Sequence, residues 1–140
     1  MFSDTSYPGD KNIVEHESLE GDEVLNVFSG KHWKQLTADT IDYHHDILPI
    51  ISPEAFRFYL PAYLIFTLDN FSSDSNAVDH TVFGLCPPRP QNPLFEHFVS
   101  RMNVLTLEQK RAVKSFLELV KPEYKKEVSH ALKVYWIKVQ

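Results

Sequence analysis

Ser52-Pro53-Glu54-Ala55-Phe56-Arg57-Phe58-Tyr59-Leu60-Pro61-Ala62-Tyr63-Leu64-Ile65-Phe66-Thr67-Leu68 decides the fold. Ser52 stands where a side-chain oxygen can accept from the free amides of a helix start. Pro53 follows at the first helical position, where a missing N–H costs nothing. From Ala55 onward apolar side chains fall on every side, and a helix with no polar face belongs inside a core. Pro61 removes one i→i−4 hydrogen bond, so the reading is a helix over about 53–68, kinked at Pro61 or split after Tyr59. A buried strand is the alternative; the Ser-Pro-Glu start and the length favour helix.

Working outward, the same signals recur. Ser18 starts a helix carrying Val24, Leu25 and Phe28, and Gly30 is the left-handed residue that ends it. Thr37 or Asp39 starts the next, with Ile41, His44, Ile47 and Leu48 at helical spacing and Pro49 closing it. Beyond a polar loop over 69–79, residues 77–85 read as a short helical turn, and the prolines of Cys86-Pro87-Pro88-Arg89-Pro90 forbid regular helix. Pro93 starts a helix whose apolar face is Leu94, Phe95, Phe98, Val99 and Met102. Thr106 and Gln109 form a capping box before the stripe Leu107, Val113, Phe116, Leu117 and Val120. A last helix carries Tyr124, Val128, Ala131, Leu132, Tyr135, Trp136 and Val139. No alternating strand pattern stands out. The expectation is one all-α domain over 1–140, a bundle of about six or seven helices around the helix at 53–68. Residues 1–17 are an irregular acidic leader docked on it through Ile13 and Val14.

Composition narrows the function. A single cysteine, Cys86, leaves no internal disulfide and no multi-thiolate zinc site. Met1-Phe2-Ser3-Asp4 has neither the basic nor the apolar region of a signal peptide. The longest run without a charged or strongly polar side chain, Phe58 to Phe66, is far below the roughly 20 apolar residues of a membrane span, so a cytoplasmic location is expected.

The search for chemistry returns few candidates. Asp42, His45 and Asp46 share one helix face, but nothing marks His80, His97 or His130 as a further metal ligand. The loop over 69–79 puts Phe71 or Val78 where a calcium loop needs an oxygen ligand. Cys86 has no adjacent base to lower its pKa, and the four glycines are too scattered for a phosphate loop. No cofactor or metal is expected. Arg57, inside the apolar helix, must reach solvent or pair with an acid such as Glu54 or one from the leader. Alternatively it lines a pocket with Trp33, Tyr59 and Tyr63.

The Ser52–Leu64 stretch resembles a family of small uncharacterised bacterial proteins with the signature S-P-E-A-F-R-Y-Y-L-P-A-Y-L, Phe58 standing where Tyr is usual. The similarity extends to Tyr7-Pro8-Gly9-Asp10, Asn12-Ile13-Val14 and Phe28-Ser29-Gly30-Lys31-His32-Trp33. Downstream it takes in Leu105-Thr106-Leu107-Glu108-Gln109 and Phe116-Leu117. The resemblance implies a bacterial cytoplasmic domain of unknown function, with links to toxin–immunity gene clusters; it carries no catalytic residue or substrate.

Three functions follow as expectations. The first is a non-enzymatic binding protein, immunity- or antitoxin-like, whose acids Glu15, Glu17, Glu20, Asp22 and Glu23 meet a basic partner protein. The second is a small-molecule or enzymatic pocket around Trp33, Arg57, Tyr59 and Tyr63; the third is an oligomerisation module using Tyr135 and Trp136. The net charge of −5 hides a gradient, from −6 over 1–23 and −4 over 24–100 to +5 over 101–140. The leader is expected to lie over the basic helices. If it does not, Lys110, Arg111, Lys114, Lys121, Lys125 and Lys126 form a basic face open to nucleic acid.

Overall fold

A computed structural model describes residues 7–9, 28, 30–48, 51–71 and 75–139. Most of the helix expected over 18–30, the docking residues Ile13 and Val14, and the acids Glu15, Glu17, Glu20, Asp22 and Glu23 lie outside the described residues. The chain is all-α. Among the described residues it has α1 (Ala38–Tyr43), α2 (Pro53–Asp69), α3 (Asn76–Gly84), α4 (Leu94–Met102), α5 (Leu107–Val120) and α6 (Lys125–Val134). Short 3-10 turns cover Trp33–Gln35 and Trp136–Lys138, and no strand is present among these residues. The chain's contacts divide into two units, residues 2–81 and 82–140, with the division inside α3.

In the unit 2–81, α2 is the buried element. Ser52 Oγ accepts from the Ala55 amide at 3.1 Å and Pro53 opens the helix, as the start signal requires. The helix runs unbroken through Pro61, and of its 17 residues 11 are buried. Its tyrosines fasten it to the chain before it. The Tyr59 hydroxyl lies 2.8 Å from the carbonyl oxygens of both Phe28 and Lys31, and Tyr63 donates to the His44 carbonyl at 2.9 Å. Both rings are fully buried, and Phe28 packs edge-on to Tyr59 at 5.1 Å. Gly30 has φ +73°, the left-handed conformation expected of a helix-ending glycine. Its amide donates to the Tyr7 hydroxyl at 2.8 Å, and the Tyr7 ring meets Phe58 at 5.5 Å, so Tyr7 is docked on this unit.

Helix α1 is shorter than its periodicity predicts. Thr37 caps it by accepting from the Thr40 amide at 3.2 Å, and it stops at Tyr43. His44, Ile47 and Leu48 are buried all the same, from a turn and not a helix. Packing of the segment onto α2 produces the burial that the spacing attributes to helix.

In the unit 82–140, Thr106 Oγ1 accepts from the Gln109 amide at 3.1 Å and Gln109 Oε1 accepts from the Thr106 amide at 2.9 Å. This capping box starts α5, which packs on α6. Trp136 is fully buried and its indole donates to the Leu85 carbonyl at 2.8 Å. Tyr135 is half-buried between Phe98 and Trp136. The apolar stripes need correction at their ends: Leu94 is 63% exposed and Leu107 is 53% exposed, each the first residue of its helix. A helix's first turn projects past the surface its later turns cover.

Replacing Tyr59 with Phe keeps the ring and deletes a buried side-chain donor that faces the Phe28 and Lys31 carbonyl oxygens. The expected cost is about 1–3 kcal/mol, measured as a lower urea midpoint at unchanged slope. An unchanged midpoint would show that these hydrogen bonds do not hold α2.

Candidate functional site

The concave feature of the unit 2–81 is a groove of about 210 Å³. One wall is a single face of α2, because Ala62, Ile65, Phe66 and Asp69 are spaced by 3 and 4. The other comes from Trp33, Lys34 and Leu36, with Ala38 and Ile41 of α1. Most of the residues that line it are apolar, Lys34, Asp69 and Asn70 are its polar members, and its exposed lining is almost evenly shared between polar and apolar atoms. Ile65 is 47% exposed here, on a helix most of whose residues are buried.

Trp33 is positioned by a local device. His32 caps the 3-10 turn: its Nδ1 accepts from the Lys34 amide at 3.1 Å, and its own amide donates to Gln35 Oε1 at 2.6 Å. The Lys34 ammonium lies 5.4 Å from the centre of the Trp33 ring. The Trp33 indole N–H is buried and has no hydrogen-bond acceptor among the described residues, a state that costs about 1–3 kcal/mol relative to a satisfied donor.

The residues expected to share a pocket therefore separate. Trp33 lines the groove, whereas Tyr59 and Tyr63 do not; both are core residues with hydroxyls bound to backbone carbonyls. Burial, with the Asp46 carboxylate adding to it, pushes the Tyr63 phenol far up, so that hydroxyl remains a donor. Arg57 is half-buried, is engaged in the structure, and does not line the groove. Aromatic content alone pointed to the wrong tyrosines. The sequence carries one usable signal, the 3- and 4-residue spacing that puts Ala62, Ile65, Phe66 and Asp69 on one face.

The polar face at 42–46 is turned to protein partners. Asp42 accepts from the Ser75 hydroxyl through its carboxylate, and its carbonyl lies 3.1 Å from His45 Nδ1. The structure brings His80 edge-on to His45 at 4.6 Å, a neighbour the sequence did not mark. Among the described residues no three His, Cys, Asp or Glu groups stand together to hold a metal.

In the unit 82–140 the basic residues are partly engaged. Lys114 donates to the Val139 carbonyl at 2.8 Å, and the Lys110 ammonium lies 5.9 Å from the Tyr135 ring centre. Lys125 and Lys126 are exposed at the start of α6. A second groove, of about 370 Å³, runs along Cys86–Arg89 and α6. At its edge burial, with the Glu127 carboxylate adding to it, pushes the Cys86 thiol from 9.0 to about 12.

A family model described as "Family of unknown function (DUF6714)" matches residues 9–140. Comparison with curated proteins and with solved structures gives no match. No helix among the described residues is long and apolar enough to cross a membrane.

The raised Cys86 pKa has two consequences. The folded thiol should react slowly with a thiol reagent at pH 8 and at the ordinary cysteine rate once unfolded in urea. Because the folded value lies above the unfolded one, the thiol's contribution to stability is complete below pH 9.0. It is lost as pH rises toward about 12. Cys86→Ala should flatten the alkaline end of the stability profile; an unchanged profile, or fast labelling of the folded protein, would contradict this account.

Proposed function

We propose that this chain, which belongs to that family of unknown function, is a non-enzymatic binding protein whose 2–81 unit docks a basic partner protein. The observation that carries the reading is the open groove with Trp33 in one wall and exposed Ile65 in the other. A groove of this kind takes one apolar anchor side chain, and interfaces concentrate their energy at such anchors.

Charge supplies the partner's character. Residues 2–81 hold 14 acids and four bases. Among the described ones, Asp39, Asp42, Asp46, Glu54, Asp69 and Asp79 are all exposed. An acidic surface around this groove favours encounter with a basic protein and sets the salt dependence of the on-rate. The specific form of the reading is an immunity- or antitoxin-like inhibitor acting in the bacterial cytoplasm, with Glu15, Glu17, Glu20, Asp22 and Glu23 adding to the acidic surface. This form rests on the family resemblance.

A small molecule in the same groove is the second reading. It is favoured by the Trp33 indole N–H, a buried donor without an acceptor at the groove wall. The oligomerisation reading loses Trp136, whose ring is buried inside its own chain.

Affinity capture from a bacterial host should test the first reading, using the intact protein and Ile65→Asp as parallel baits. Ile65 is exposed, so the variant is expected to fold. A basic protein retained by the parent and reduced at least about tenfold with the variant is the expected result. If no captured protein distinguishes the two baits, the docking groove is not where partners bind.

A further inference from the structure

We propose that the groove along Cys86–Arg89 and α6 binds a small phosphate monoester, held by Arg89, Lys126 and His130. The groove encloses about 370 Å³ and lies wholly within the unit 82–140. Arg89 comes from the irregular segment, between Pro88 and Pro90, which limit its backbone freedom; its carbonyl accepts from the Asn92 amide at 2.9 Å. Lys126 and His130 are one turn apart on α6 and therefore project from the same face. Three groups able to carry positive charge thus line one groove from two chain segments. None makes an ion pair or side-chain hydrogen bond among the described residues.

Lys125 and Lys126 share the first turn of α6 with Glu127, at the positive end of the helix dipole, where lysine is disfavoured and an acid is preferred. Tyr124 at the N-cap supplies no side-chain hydrogen bond to the first amides. Glu127 is the only acid lining the groove and cannot neutralise Arg89 and Lys126 together. A bound anion would relieve both the mutual repulsion and the dipole mismatch.

Phosphate fits better than carboxylate. An arginine fork from one chain segment, with an ammonium and an imidazole from one face of α6, can share the several oxygens of a tetrahedral dianion. A carboxylate offers only two oxygens in one plane. The groove is larger than a bare phosphate, and Cys86, Pro87 and Pro88 supply a wall for the organic part of an ester. The thiol beside it stays protonated and neutral, so it neither repels the anion nor attacks it.

An NMR titration of the whole protein with inorganic phosphate, phenyl phosphate and acetate tests this. Saturable shifts of the His130 ring and of the 125–127 amides are expected with both phosphates, tighter for phenyl phosphate. Acetate should be much weaker. Arg89→Gln and Lys126→Gln, both at exposed positions, should each weaken phosphate binding about tenfold while the fold is retained. No saturable shift, equal binding of acetate, no preference for phenyl phosphate, or undiminished binding in both variants would each overturn the proposal. Ile65→Asp lies in the other unit and should leave these shifts intact, so this result and the partner-capture result stand independently.

Discussion

Two phenolic hydroxyls fix the unit 2–81. Helix α2 is apolar on all sides and cannot choose its orientation by turning a polar face to water. Hydrophobic burial is non-directional, so it sequesters such a helix without specifying its rotation. Tyr59 and Tyr63 supply the direction, each reaching a buried backbone carbonyl in the segment from Phe28 to His44. Those carbonyls belong to chain with little helix of its own, where ladder hydrogen bonds are scarce and buried acceptors need side-chain donors. Once α2 is set, the face Ala62–Ile65–Phe66–Asp69 must turn toward Trp33 and Ile41, and the groove follows.

What could be read from the sequence was what depends on neighbours in the chain. Ser52 with Pro53, Thr106 with Gln109, and Gly30 all occupy the positions assigned to them, because a cap is satisfied within one turn whatever packs outside it. What could not be read depends on distant partners. Arg101 and Gln109 are buried although their residue types are usually exposed. Leu94 and Leu107 are exposed although apolar. Gln109 becomes explicable once its amide is seen closing the capping box; Leu94 and Leu107 fall at helix starts, where periodicity cannot say how far the neighbour extends. The candidate pocket failed for a related reason: a tyrosine in an apolar helix reads the same whether its hydroxyl faces a ligand or a backbone carbonyl.

The charge gradient gains a structural boundary. The division of contacts falls between Thr81 and Val82, and the formal charge changes sign across it. Residues 2–81 carry −10 and residues 82–140 carry +5, so the net −5 describes neither part. A sign change placed at a fold boundary makes each unit a separate electrostatic object at distances within the screening length of about 8 Å in physiological salt.

The two grooves differ in the way this segregation would demand. In the acidic unit the groove's polar members include one acid and one base, Asp69 and Lys34, whose formal charges cancel. In the proposed docking, long-range charge there would steer a basic partner, while the contact itself would be made by Trp33 and Ile65. In the basic unit the concave surface itself carries the charge, through Arg89, Lys126 and His130. There the field and the contact act on the same atoms, so affinity for an anion should respond to salt far more steeply than docking at the groove of the acidic unit. The two proposals thus assign one chain two recognition chemistries, distinguished by whether charge guides the ligand or grips it.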